Sequence, residues 1–463
     1  MQVTQVRKLT QHRVIVIGAG YAGAIAAGRL ARRLRNEDVT ITLVNPEPDF
    51  VERVRMHQLA VGQELRPRPF SEMFAGTGVR LRVARVTAVD ATGRTVTIEG
   101  ETGAGNRTGN GTGTGTDAGK SNGTGNGTEA GNGPAGDVTG TGPTGNTTEQ
   151  LPYDTLVYAL GSSWNTHDIP GTAEHAHDIA GRPGALRLRE RLTALGTGQP
   201  VVVVGGGLTG LEAATEIAEA RPDLDVALVA RTALGDWLSP KGRRHLRKVC
   251  ARLGITVHEH TTVTAVGHDH VTTTPSPNRL ARATAGSATI PAAVTVWTTG
   301  FAVHPIARAT ALKVDATGRI EVDGTMRSVS HPDVYAIGDA ALVTGPGDKP
   351  LRMSCASGIP TAWQAADSIA SRLTGTKPTT VPLRYFNQCI SLGRKDGLIQ
   401  YVTADDQARP AALTGRTAAL YKELVCKGAA WGVANPTLGR PTRRRAVVQE
   451  PAPLPHATTA NAG

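Results

Sequence analysis

Val14-Ile-Val-Ile-Gly-Ala-Gly-Tyr-Ala-Gly23 decides how this chain folds. Four consecutive apolar residues read as a strand buried on both faces, as in a parallel sheet. Gly18, Gly20 and Gly23 follow at GxGxxG spacing. Ala24 to Arg35 carries the apolar spacing of a helix, and Val39 to Val44 reads as the next strand. The whole is a βαβ unit of about 30 residues with its glycines at the first turn. Gly18 permits the tight turn, Gly20 lets a phosphate approach, and Gly23 lets helix and strand touch. The helix N-terminus then offers backbone amides to an anion.

The pattern recurs after Pro200. Val201 to Val204 is apolar, Gly205, Gly207 and Gly210 repeat GxGxxG, Leu211 to Ala220 reads as a helix, and Val226 to Ala230 as a strand. One GxGxxG is weak evidence, but two in the same strand–turn–helix context point to two dinucleotide sites. An acidic residue after the second strand often accepts ribose hydroxyls. The first unit has Asn45 there, an amide able to bond a hydroxyl or simply a turn residue before Pro46. The second has Arg231, suited to a 2′-phosphate or to plain solvation, with Asp236 too far along to replace the acid.

Between and beyond these units the elements are mixed. Residues 79–99 alternate apolar and polar and read as antiparallel strands turning at Ala91 to Arg94. Tyr153 to Gly161 and Val294 to Gly300 read as buried strands ending in glycine. Pro240 to Leu253 is a basic amphipathic helix and Ile255 to His258 a short strand. Arg319 to Asp323 and Val334 to Asp339 are expected to close a sheet, with helices near Met353 to Leu373 and Ala418 to Trp431.

Composition excludes several classes. Residues 101–150 hold 16 Gly, 12 Thr and 6 Asn, too little apolar mass to offset the entropy of ordering. This segment reads as a long surface loop whose ends adjacent strands hold. Four cysteines, Cys250, Cys355, Cys389 and Cys426, lie far apart in sequence and form no CxxC pair, which fits a reducing, cytoplasmic setting. The polar N-terminus does not read as a secretory signal, and no apolar run is long enough to cross a bilayer. The net charge of +11 is spread along the chain, and aromatics are 4%, so a base-stacking nucleic-acid platform is not expected. His258 and His260, or His268 and His270, have chelating spacing on a strand, but no accompanying acid or Cys pattern points to a metal.

Taken in order, GAGYAG at the N-terminus, ALGSS at 159–163, IPGTAEHAHDI at 169–179, VVVVGGGLTGLE at 201–212, VWTTGF at 296–301 and HPDVYAIGDAA at 331–341 resemble the two-dinucleotide-binding-domain flavoproteins. The nearest likeness is to the type II NADH dehydrogenases and their soluble, apoptosis-inducing-factor-like relatives, over about residues 12–400 apart from the glycine-rich insert. The resemblance implies an α/β fold with two Rossmann-like domains, the second inserted in the first, and a small C-terminal region. It divides the chain into a first FAD-binding part at 1–180, an NAD(P)-binding domain at 181–304, a second FAD-binding part at 305–377, a C-terminal region at 378–435 and a disordered tail at 436–463.

It also implies FAD at Gly18, Gly20 and Gly23, and NAD(P)H at Gly205, Gly207 and Gly210. Hydride passes from the nicotinamide to flavin N5, and the cofactors carry this chemistry. Asp339 would bond the flavin ribitol, Gly338 would let the backbone approach, Gly161 and Gly300 would sit at domain crossings, and Glu212 would lie near the nicotinamide. An ordinary capping role for Asp339 and a solvated helix position for Glu212 remain the plain alternatives. Disulfide-reducing members carry CxxxxC near residues 50–57, where this chain has Phe50-Val-Glu-Arg-Val-Arg-Met-His57 and no cysteine. Arg55 or His57 is suited to stabilising reduced, anionic flavin there, or to a place at the edge of the core.

The electron acceptor is expected to be a quinone or similar small molecule. A dedicated partner such as a ferredoxin-type carrier or a biosynthetic substrate is the alternative, and a flavin- or nucleotide-sensing protein without turnover is a third reading. Only Gln364 matches the glutamines that type II dehydrogenases use for quinone. Leu420, Leu424, Val425 and Trp431, with Lys422, Lys427 and Arg443 to Arg445, read first as a helix docked on the core with a disordered tail behind it, and leave peripheral membrane contact open as the alternative.

Overall fold

A computed structural model describes residues 11–101, 146–276, 287–378, 380–437 and 444–448. Its centre is a five-stranded parallel sheet in the order 334–336, 155–158, 12–17, 39–45 and 79–83. Val14, Val16 and Ile17 of its central strand are wholly buried, as a strand covered on both faces requires. Helix α1 (Tyr21–Arg33) leaves the glycine turn and sinks Leu30, Ala26 and Ala27 against this sheet. Full burial of one such leucine contributes roughly 2 kcal/mol.

Val79–Val83 corrects the sequence reading. It pairs in parallel with Val39–Asn45 as an edge strand, and the antiparallel hairpin begins only at Arg85. An edge strand with one open face alternates as an antiparallel strand does, so the pattern alone misleads. Arg85–Asp90, Thr95–Glu101 and Asn146–Pro152 form the next sheet, with Glu101 opposite Asn146. The glycine-rich segment 102–145 lies outside the described residues, as does Arg443. The segment before the hairpin carries a short 3₁₀ turn (Arg53–Arg55) and helix α2 (Met56–Ala60).

A second parallel sheet has the order 256–258, 225–229, 200–204, 294–297 and 176–177. Helix α3 (Leu208–Ala220) leaves its glycine turn. Two short antiparallel strands tie the sheets together: Ser162–Trp164 pairs with Phe301–Val303. Each follows its glycine, Gly161 or Gly300, directly. Arg319–Asp323 and Val334–Asp339 do not close one sheet. Ile320–Glu321 pairs with Ala341–Leu342, whereas Val334–Ala336 joins the first sheet.

Helix α4 (Cys355–Leu373) packs along α1, bringing Gly358 and Gly338 against Ala22. The chain then forms a three-stranded antiparallel sheet from 387–391, 397–402 and 408–414, and ends in helix α5 (Arg416–Ala434), longer than its apolar pattern suggests. Ala418, Cys426, Ala430 and Val433 are its buried stripe, and Lys422 sits on the same face.

Candidate functional site

The two glycine turns are built alike. A Cβ on Gly18 would fall 2.5 Å from the Ala159 carbonyl oxygen, and one on Gly205 would fall 2.6 Å from Thr298 Oγ1. A Cβ on Gly23 or Gly210 would lie 1.8 Å from the carbonyl oxygen of Gly18 or Gly205. Around Gly20 and Gly207, which cap α1 and α3, there is open space. Neither helix has a side-chain cap or an acidic residue in its first turn. Two helix N-termini therefore present unsatisfied amides toward open space, the setting a pyrophosphate needs.

Beyond the turns the units differ. Asn45 Oδ1 accepts the Ala19 N–H at 2.9 Å and its Nδ2 donates to the Glu47 carbonyl at 2.9 Å, so this amide already braces the first turn. Arg231 is exposed, with no ion-pair partner among the described residues.

Asp339 sits on a 3₁₀ turn (Gly338–Ala340), and the Gly338 N–H is held by Thr361 Oγ1 of α4 at 3.2 Å. Its carboxylate accepts Ser162 Oγ at 2.6 Å and faces Arg53 Nη1 at 3.5 Å. The Arg53 guanidinium lies 4.8 Å over the Phe301 ring, close by Gly161, and its Nη2 is buried without a partner. Burial lowers the Arg53 pKa, although Asp339 opposes the shift. Gly300 faces His167 across the crossing strands. The glycine cradles, the orphaned Arg53 nitrogen and Asp339 fit a flavin nucleotide.

Arg55 is turned the other way. It forms ion pairs with Glu52 at 3.0 Å and with Glu423 of α5 at 2.9 Å, and Arg68 holds Glu52 at 2.9 Å. The structure places Arg53, not Arg55, beside Asp339. Residues two apart in a helical turn cannot face the same way.

Glu212 is also not a solvated helix residue. It is buried, with Lys422 Nζ at 2.9 Å, the Ser391 N–H at 3.0 Å and His57 Nδ1 at 3.9 Å. Burial alone would raise its pKa, but Lys422 and then His57 reverse this, and the carboxyl stays below its usual range. Burial lowers His57 to about 4, so the imidazole is neutral near pH 7, with Nε2 orphaned. Lys422 is desolvated too, yet Glu212 holds its pKa above the ordinary value. Cys355, Cys389 and Cys426, distant in sequence, gather around Lys422. Burial raises all three thiols, so they are protonated and poor nucleophiles.

Sequence reasoning named the glycines, Asp339, Glu212, Arg55 and His57; the structure adds Arg53 and Ser162 beside Asp339, and Lys422 of α5 beside Glu212, which that reasoning did not connect. A lysine on a stripe of small buried residues was the one available signal for Lys422. Among the described residues, no group of three or more His, Cys, Asp or Glu could hold a metal ion. Nor is any described helix long and apolar enough to cross a membrane.

Two glycine turns, two parallel sheets and crossing strands at Gly161 and Gly300 define a flavoprotein oxidoreductase built to hold two dinucleotides. The chain belongs to the pyridine nucleotide-disulphide oxidoreductase family, whose model matches residues 12–370. It is an enzyme that uses FAD and NAD(P)H. A NADH dehydrogenase-like protein of Mycobacterium tuberculosis (strain CDC 1551 / Oshkosh) is 27% identical over 82% of this chain and 86% of its own length. The type II NADH:quinone oxidoreductase Ndh of Mycobacterium tuberculosis (strain ATCC 25618 / H37Rv) is 26% identical over 82% of this chain and 76% of its own length. The solved structure of NDH2 from Plasmodium falciparum in complex with NADH aligns with a TM-score of 0.69 and 13% identity, covering 92% of this chain and 97% of that one. It is similar in fold.

Proposed function

We propose that this enzyme passes electrons from reduced nicotinamide to a quinone at a membrane surface. The observation that carries the reading is the two-sided helix α5. One side carries Lys422 against Glu212, which in turn faces His57. The other exposes Leu420 (62%), Leu424 (60%), Val425 and Trp431 (55%), and Phe386 stands 69% exposed on the adjoining segment. Scattered apolar residues are ordinary, but an apolar helix face of this kind is suited to the headgroup–acyl boundary. Exposed Lys427 and Arg444 add attraction to anionic lipid. An acceptor dissolved in the bilayer would then approach the Glu212–Lys422 pair without leaving it. The quinone chemistry in the name of the mycobacterial relative supports the same acceptor.

In this reading Gly18, Gly20 and Gly23 hold the FAD pyrophosphate, and Asn45 braces that turn. Gly205, Gly207 and Gly210 hold the nicotinamide dinucleotide, with Arg231 beside its adenosine ribose. FAD, when bound, takes a hydride from the nicotinamide and hands on two electrons. The chain does the rest. Asp339, held by Ser162, orients the ribitol, and Gly338 admits the backbone. Arg53 offers positive charge where the reduced ring becomes anionic. Gly161 and Gly300 keep the crossing strands thin, so the two ring ends can meet. Neutral His57 and ionised Glu212 line the acceptor side. Domain limits at residues 180, 304, 377 and 435 and a cytoplasmic location, where reduced nicotinamide is produced, complete the proposal.

Menadione reduction by purified enzyme with NADH tests the acceptor, and flotation with anionic vesicles tests the surface. Leu420→Asp/Leu424→Asp should abolish flotation while leaving the flavin spectrum unchanged. Vesicle binding that survives both substitutions would remove α5 from the reading.

A further inference from the structure

Quinone reduction consumes protons as well as electrons. Reduced nicotinamide provides a hydride, which is two electrons and one proton, and the quinone takes two of each. The second proton comes from water, so a buried acceptor site needs a path for it. At rest neither group nearest that site has an acidic proton to give, because Glu212 beside Lys422 is ionised and His57 is neutral down to about pH 4. The proton must therefore arrive from farther out, and Glu212 takes it only in passing.

Glu216 stands one turn farther along α3, on the face it shares with Glu212. It is 1% exposed, and no ion pair neutralises it among the described residues. Gln63, on the segment after α2, donates from Nε2 to its Oε1, whereas Oε2 is buried with no hydrogen-bond partner. The groups around it come from three segments. Glu212 and Glu219 lie on α3 itself, Gln63 on the segment after α2, and Arg394 on the loop after strand 387–391. Glu219 lies a further turn out, half-buried, and accepts the Arg394 backbone N–H. Arg394 is exposed. A row of carboxylates thus runs along one helix face, from solvent at Glu219 and Arg394 to the buried Glu212–His57 pair.

We propose that Glu216 carries the second proton from solvent at the Gln63–Arg394 mouth to the acceptor site, acting through Glu212. Glu216 gains a proton from water at its outer side and releases one inward, so it is unchanged after each turnover. The sum is NAD(P)H + H⁺ + quinone giving NAD(P)⁺ + quinol. Burial pushes Glu216 up to about 7, so its charged and neutral forms coexist near neutrality. The proposal rests on the quinone reading above.

The test compares menadione with ferricyanide, which takes electrons without protons. Glu216→Gln should slow menadione turnover about a hundredfold relative to ferricyanide turnover, the low end of the range for lost proton transfer. It should also erase a pH dependence centred near 7. Glu216→Asp should restore part of the menadione rate, and Gln63→Leu, which leaves the buried carboxyl in place, should slow menadione selectively. Infrared difference spectra of the resting protein give a readout independent of turnover. A protonated-carboxyl C=O band titrating near pH 7 should be present in the wild type and absent in Glu216→Gln. Equal losses toward both acceptors, or a carboxyl band that persists in Glu216→Gln, would overturn the relay alone. A wild type that reduces ferricyanide but no quinone would overturn both the relay and the quinone reading.

Discussion

The two glycine turns share one backbone solution and differ in everything beyond it. In each, the first and third glycines are packed against backbone or a strand-end side chain, and the middle one stands in open space. After the second strand, however, the first unit ends in Asn45, tied to its own turn on both sides, and the second in exposed Arg231. The ring ends differ more. Asp339, Ser162 and Arg53 converge from three segments on the first unit's side. The second unit's Glu212 meets His57 and Lys422 from two others. The course of each glycine turn is therefore largely local to its strand and helix, whereas the side chains gathered beyond it come from the assembled fold.

Substituting the packed glycines separates the two units most sharply. Gly23→Ala places a Cβ 1.8 Å from a carbonyl oxygen and should abolish flavin retention by distorting the turn, whereas Gly20→Ala, in open space, should leave the turn folded and weaken flavin binding only by crowding the phosphate. Gly210→Ala should instead leave the flavin spectrum and remove its response to NADH. Loss of flavin in Gly210→Ala would mean that the two turns are not independent sites.

Next in size is the ion pair joining the second unit to α5. Lys422→Met leaves Glu212 buried and unpaired, and should cost about 3–5 kcal/mol in urea unfolding. A change under about 1 kcal/mol would show that water already neutralises Glu212.

Burial acts with opposite signs on His57, from the first unit, and Glu216, from the second. His57 falls to about 4 in the fold, so the unfolded chain binds more protons between there and 6.5. Stability on its account declines as pH falls through that window. Glu216 rises to about 7 from 4.5, so the folded chain binds more protons, and stability declines as pH rises through that window. Each effect amounts to about 3 kcal/mol across its range. The two windows overlap from about 4.5 to 6.5, where the slopes oppose. Thermal melts over that range should therefore show stability falling more steeply with rising pH in His57→Gln and rising more steeply in Glu216→Gln. Unchanged profiles in both variants would contradict the burial of these groups.

Arg231→Glu should weaken NADPH about tenfold relative to NADH, a difference of about 1.4 kcal/mol. An unchanged ratio would leave the second strand end without a part in cofactor choice. The smallest effect is expected from joining Glu101 to Asn146 by a short turn in place of residues 102–145. These two residues are already cross-strand partners, so flavin content and melting temperature should stay as in the full chain. A deletion reaching to 149 would instead remove half of the strand Asn146–Pro152.

How much of this was legible in the sequence follows the same division. Both turns could be read because the strand, glycines and helix of each lie within about 30 positions, although the packing of Gly18 on Ala159 and of Gly205 on Thr298 could not. Glu212 could be named but not paired, since Lys422 lies on the last helix and only the folded chain brings them to 2.9 Å. Arg55 and Arg53 are nearly adjacent in sequence, and the direction of one 3₁₀ turn decides which faces Asp339. Val79–Val83 alternates because it is an edge strand, and alternation does not report strand direction.

An anaerobic visible titration tests the central claim, that the two turns hold two cofactors whose ring ends meet. Purified protein should show flavin bands that bleach on addition of NADH or NADPH and return on addition of menadione. Flavin bands that persist with both nicotinamides would contradict it.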